Sequence, residues 1–186
     1  LGGKSPQIVF ADADLEAALP AVVNAIAQNC GQTCSAGSRL LVERGVYERV
    51  LELLSARFSA LRAGPSSMDL DMGPLINEKQ HRQVRSFLAQ AAADGIREAA
   101  RGSIAPGSPA GGYYQEAVLL LDVPPRHRLA QEEIFGPVLV ALPFDDEAQA
   151  VELANGTQYG LCAGVWTRDG ARQLRMARKL RCGQVF

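Results

Sequence analysis

The chain predicts an α/β fold: an open, mostly parallel, twisted sheet with helices on both faces. Three observations predict it. Its candidate strands are continuous apolar runs such as Val118-Leu119-Leu120-Leu121, the pattern of strands covered on both sides. Amphipathic helical stretches lie between them, which lets successive strands run parallel through helical crossovers. At 186 residues, 47% hydrophobic and 21% charged, the chain is ordinary soluble globular material with enough apolar mass for one domain and a real core.

In order, Gln7-Ile8-Val9-Phe10 reads as a buried strand. Asp12 or Asp14 can cap a helix to about Asn29 with Leu15, Leu19, Val22, Val23 and Ile26 as its stripe, and Pro20 should kink it or displace its first turn. A bend follows at Cys30–Gly37, too small and polar to be core, and then a strand, Arg39–Val42. Val46, Val50, Leu53, Leu54, Phe58 and Leu61 mark a helix over Val46–Ala63, ended by Gly64-Pro65. Another helix is expected from about Asn77 to Asp94, stopped by Gly95. The strand Val118–Leu121 is halted by Pro124-Pro125, and Val138–Leu142 is the next strand. Asp145-Asp146 cap a helix to about Ala154, Cys162–Thr167 is a strand, and Asp169 starts a helix to about Leu180. The final residues, Gly183–Phe186, read as a strand cut off in progress.

Nineteen Lys and Arg against twenty Asp and Glu leave a formal charge of −1, so no net positive field draws nucleic acid or a membrane surface. No uninterrupted apolar run of about 18–20 residues occurs. The start, Leu1-Gly2-Gly3-Lys4, lacks the charged and apolar regions of a signal peptide, and the chain reads as a piece of a longer protein. Four cysteines without a CxxC pair, and two histidines remote from them, support neither a disulfide scaffold nor a metal site. Reduced thiols in a cytoplasmic protein are expected.

Cys34 follows a helix in a segment where Gly31 and Gly37 permit tight turns and Thr33, Ser35 and Ala36 leave the sulfur approachable. A thiolate attacks carbonyl carbon, and the oxyanion formed needs N–H donors that such a loop supplies. The competing reading is a buried structural cysteine, the commoner fate of a free thiol. Cys30, four residues earlier, is a spectator or a redox partner; Cys162 and Cys182, in or near apolar strands, read as structural. Gln131-Glu132-Glu133-Ile134-Phe135-Gly136-Pro137 could be a rigid corner that holds a sugar hydroxyl, or a solvated loop with a packing phenylalanine. Arg168, Arg172, Arg175, Arg178, Lys179 and Arg181 crowd one helix; with Leu174, Ala177 and Leu180 buried, they form its solvated face. No glycine-rich phosphate fingerprint occurs.

Five motifs, in order, resemble the aldehyde dehydrogenase superfamily: Leu1-Gly2-Gly3-Lys4-Ser5-Pro6, Gly31-Gln32-Thr33-Cys34-Ser35-Ala36-Gly37-Ser38-Arg39, Gly73-Pro74-Leu75-Ile76, Glu132-Glu133-Ile134-Phe135-Gly136-Pro137-Val138 and Asn155-Gly156-Thr157-Gln158-Tyr159-Gly160-Leu161. The resemblance spans the chain and implies the catalytic domain, residues 1–186. It implies Cys34 as nucleophile, its N–H in the oxyanion site, and oxidation of a small aldehyde to an acid with NAD or NADP through a thiohemiacetal and a thioester. It implies Glu133 on the nicotinamide ribose, Phe135 near the same end of the cofactor, Leu1 and Gly2 in a turn beside the nicotinamide, and Gln80 near the adenine-side ribose. It also implies a homo-oligomeric parent whose general base, cofactor-binding domain and oligomerisation segment lie outside this chain, leaving the fragment inactive by itself. Two rivals stand beside it: a non-catalytic scaffold or regulatory module, and a relative that passes the acyl group to coenzyme A. On the catalytic reading, the Cys34 sulfur is expected to stand open at the mouth of a crevice.

Overall fold

The computed structural model describes residues 2–186. Its elements are β1 (Pro6–Val9), α1 (Leu15–Ala27), β2 (Arg39–Glu43), α2 (Tyr47–Ala60), β3 (Arg62–Ala63), α3 (Glu78–Ala93), β4 (Arg97–Arg101), β5 (Ser103–Ile104), β6 (Val118–Leu121), α4 (Arg128–Gln131), β7 (Val138–Phe144), α5 (Glu147–Asn155), β8 (Cys162–Trp166), α6 (Gly170–Lys179) and β9 (Gln184–Val185). Seven strands form one sheet in the order β4-β6-β7-β2-β1-β8-β9, and only the β4–β6 pair is antiparallel. β3 and β5 pair separately.

The direction of travel across the sheet explains the two helical layers. The chain steps from β1 to β2 one way through α1, and from β7 to β8 the opposite way through α5. Right-handed crossovers in opposite directions place their helices on opposite faces. Accordingly α1 packs on α2, whereas α5 lies against β1, β2 and β7. The central strands are apolar all along because both faces are covered: Ile8, Leu40, Leu41, Val118, Leu119 and Val140 are fully buried.

Most helix starts are fixed by local chemistry. Asp14, Asn77, Asp146 and Asp169 each accept hydrogen bonds from first-turn N–H groups, which removes orphaned donors. Pro20 sits exposed within α1, which stays continuous around it. Helix ends and edges depart from expectation. The first helix stops at Ala27 because Asn29, Cys30 and Gly31 all adopt positive φ. α2 ends at Ala60, and the next residues pair as β3. β4 had no strand signature: Arg97-Glu98-Ala99-Ala100-Arg101 is charged and alanine-rich, a composition tolerated at an irregular edge. The packing assigned to α6 is also corrected. Met176 and Leu180 turn inward, whereas Leu174 is 63% exposed and Ala177 is exposed; two residues correspond to about 200° of helix, so Leu174 and Met176 face apart. Arg175, Arg178 and Lys179 are outward as expected, Arg175 and Lys179 paired to Glu147, but Arg172 is half-buried, pairs with Asp12 and lies 4.4 Å over the Phe10 ring.

Candidate active site

β7, β2, β1 and β8 are adjacent and parallel, so the segments that enter them meet at one edge of the sheet. Gly2-Gly3 leads into β1, the Cys34 turn into β2, and the Glu133 corner into β7. The sheet thus joins residues more than a hundred positions apart.

Cys34 lies in a turn closed by the Ala36 N–H on the Thr33 carbonyl at 3.2 Å. Cys34 and Ser35 are exposed while Ala36, Gly37 and Ser38 are buried, so the turn projects the thiol from an anchored base. No described residue hydrogen-bonds the Cys34 sulfur, and its backbone N–H meets no acceptor among them. None of the five principal cavities is lined by Cys34. The sulfur is open as expected, and none of these cavities supplies the expected crevice beside it.

Gly3 locks the first motif to this turn. A side-chain carbon there would lie 2.0 Å from the Cys34 carbonyl oxygen, so only glycine fits. The Gly3 N–H donates to Glu133 Oε1 at 2.8 Å, and a carbon on Gly2 would meet Glu133 Oε2 at 2.7 Å. Glu133 is half-buried, and no described donor occupies Oε2. Behind it, Gln80 Nε2 donates to the Ile134 and Phe135 carbonyls at 3.0 and 2.8 Å. Gln80 therefore braces the corner from α3, a role its position in the sequence did not suggest. Phe135 is half-buried with φ +56°, and Gly31, at φ +71°, lets the Cys34 segment rest on the Gly136 backbone. Cys34, Gly2, Glu133, Phe135 and Gln80 form one connected assembly; Leu1 lies outside the described residues.

The other thiols differ in kind. Cys30 is 1% exposed and burial pushes its thiol up to about 12. Cys162 is buried beneath the Cys34 turn, its sulfur 3.2 Å from Ser5 Oγ and 3.5 Å from the Ser35 carbonyl. Burial also raises Cys182.

Two buried cations lie behind the assembly. Arg39 donates to the Lys4, Leu153 and Ala154 carbonyls at 2.7, 2.6 and 2.7 Å, and burial lowers it to about 10. Lys4 Nζ has no hydrogen-bond partner among the described residues and borders a cavity of about 10 Å³ shared with Tyr159 and Cys162. Burial and the charge of Arg39 push Lys4 down to about 7, against the pull of Glu133 and Glu132. Lys4 was quoted in the first motif, but nothing in the sequence distinguishes a buried lysine from a surface one. Among the described residues no cluster of three His, Cys, Asp or Glu could hold a metal ion, and no helix is long and apolar enough to cross a membrane.

The profile of the aldehyde dehydrogenase family matches residues 1–186, and the chain belongs to that family. It is 39% identical over 191 residues to 5-carboxymethyl-2-hydroxymuconate semialdehyde dehydrogenase of Escherichia coli, covering all of this chain and 41% of that protein. It is 40% identical over 189 residues to betaine aldehyde dehydrogenase 2 of Rhizobium meliloti (strain 1021), again over the whole chain and 38% of the relative. The chain thus spans about two fifths of the curated relatives it matches. Among solved structures, a Burkholderia cenocepacia chain assigned as an aldehyde dehydrogenase superposes with TM-score 0.99 at 66% identity, covering all of this chain and 39% of that one. The NAD+ complex of the Bacillus cereus aldehyde dehydrogenase superposes with TM-score 0.93 at 40% identity, over all of this chain and 38% of the other.

Proposed function

We propose that this chain is the nucleophile-bearing catalytic domain of an enzyme that oxidises an aldehyde to a carboxylic acid, with Cys34 as the nucleophile. The observation that carries this reading is the exposed Cys34 thiol on a turn interlocked with Gly3 and Glu133. Its sulfur bonds to the aldehyde carbon, the carbonyl electrons move to oxygen, and the unengaged Cys34 N–H donates to that oxyanion. When bound, a nicotinamide cofactor supplies the acceptor for the hydride that leaves the same carbon. The thioester on Cys34 is then cleaved by water, releasing the acid and restoring the thiol.

The donor set fits part of such a cofactor. Glu133 offers an acceptor oxygen with no described donor, suited to a ribose hydroxyl, and Phe135 is a half-buried aromatic two residues on in the same corner. Similar solved structures include the NAD+ complex above, which supports a dinucleotide; NAD and NADP are both compatible with Glu133 and Phe135. Gly2 borders the same carboxylate, whereas Gln80 serves it through the Ile134 and Phe135 carbonyls. No carboxylate hydrogen-bonds Cys34 among the described residues; in this reading, as the family resemblance implies, the base belongs to the rest of an oligomeric parent and the chain alone turns over little. A cytoplasmic setting agrees with four unpaired thiols.

The test is Cys34→Ala in the complete protein, assayed for aldehyde oxidation with NAD and NADP. A loss of about a thousandfold or more is expected; wild-type turnover would overturn the reading in favour of a non-catalytic module. Coenzyme A should leave the rate and the free-acid product unchanged.

A further inference from the structure

The turn ahead of Cys34 is unusual in its backbone. Asn29, Cys30 and Gly31 take φ of +51°, +56° and +71° in succession; glycine and asparagine tolerate this region, but the Cys30 side chain disfavours it. Something must hold the segment there, and the hydrogen bonds converge on one side chain. Gln32 Nε2 donates to the Asn29 carbonyl at 3.0 Å and to the Pro74 carbonyl at 3.4 Å. Gln32 Oε1 accepts from the Ile76 N–H at 2.8 Å. Asn29 answers from the other side, its Nδ2 donating to the Gln32 carbonyl at 3.0 Å. One carboxamide therefore uses its donors and its acceptor to join the left-handed turn to the Pro74–Ile76 loop, two residues before the thiol.

We propose that Gln32 is a positioning residue for Cys34: its carboxamide pins the left-handed turn to the Pro74–Ile76 loop and so fixes where the sulfur stands relative to the Glu133 corner. The proposal rests on Cys34 being the nucleophile. Without the clamp the turn can relax toward negative φ, and the thiol stays exposed but shifts. Small displacements matter little to a freely diffusing reagent and greatly to a reaction between two held groups.

That contrast defines the test. In the complete protein, Gln32→Met keeps the length and removes every side-chain hydrogen bond, whereas Gln32→Glu keeps the acceptor for Ile76 and loses both donors. Gln32→Met should lower kcat for aldehyde oxidation by about tenfold or more. KM for the cofactor and the rate of Cys34 alkylation by iodoacetamide should each stay within about threefold, because the thiol remains open. Gln32→Glu should fall between Gln32→Met and wild type. Wild-type kcat in Gln32→Met would overturn the proposal. So would a kcat loss matched by equal losses in cofactor affinity and thermal midpoint, which marks a merely structural side chain. If Gln32→Met does not fold, Gln32→Glu is judged by the same criteria. Failure of the nucleophile assignment is distinguished by Cys34→Ala retaining turnover.

Discussion

The two ends of the sheet contrast sharply. At the carboxyl ends of the strands, polar groups are consumed by one another. Asp12, just past β1, accepts from Thr167 Oγ1 at 2.8 Å, from the N–H groups of Arg168 and Asp169 at 3.1 Å, and from Arg172 at 2.9 Å. Glu43 takes the Ala11 N–H at 2.7 Å, Asp122 joins Tyr47 and Arg97, and Arg44 pairs with Asp145. At the amino ends, by contrast, an open thiol, a half-buried carboxylate and an unpartnered lysine lie within a few residues of the strand starts. Open α/β sheets usually bind ligands beyond their carboxyl ends; here the chemical groups with capacity to spare gather at the opposite edge. At the carboxyl end the carboxylates are engaged and the buried Arg172 Nε is left over; the proposed active site lies at the other end, where a thiol and a carboxylate oxygen stay open.

The strongest way to break this contrast is to disturb each end in turn. Gly3→Ala forces a methyl toward the Cys34 carbonyl, 2.0 Å away. It should cut kcat by about a hundredfold and cost roughly 1–3 kcal/mol. Asp12→Ala should do the converse, costing about 1–3 kcal/mol of stability while kcat stays within about twofold. Urea melts and steady-state kinetics of the complete protein check both; equal activity losses at the two ends would dissolve the distinction.

A smaller effect sharpens it. Lys4 sits at about 7, below the ordinary lysine range, chiefly through burial. The unfolded chain therefore holds that proton over a pH range where the folded chain has released it, and this group's contribution to stability rises with pH from about 7 to the ordinary lysine value of 10.5. Lys4→Met should stabilise the fold by about 1–2 kcal/mol at pH 6, with the gain shrinking by pH 9. A gain that grows with pH would show that the ammonium has a partner.

The parallel sheet was legible because apolar continuity and capping residues such as Asn77 and Asp146 are local properties. A nucleophile's role for Cys34 is implied by the family resemblance and not by any local pattern, whereas the exposure of the Cys34 turn was legible in its small neighbours. β4 and the left-handed turn at Asn29–Gly31 were not, since a charged edge strand and a positive-φ cysteine exist only through tertiary partners. The Gln80 brace and the Gln32 clamp also depend on loops 42 or more residues away, beyond the reach of any short-range pattern.

Mapping the order of thiol alkylation in the folded protein, by mass spectrometry under limiting iodoacetamide, tests most directly whether the open nucleophile stands at the amino edge. Cys34 should be modified first, with Cys30 and Cys162 protected until the chain unfolds. Labelling of Cys30 or Cys162 ahead of Cys34 in a folded sample would contradict it.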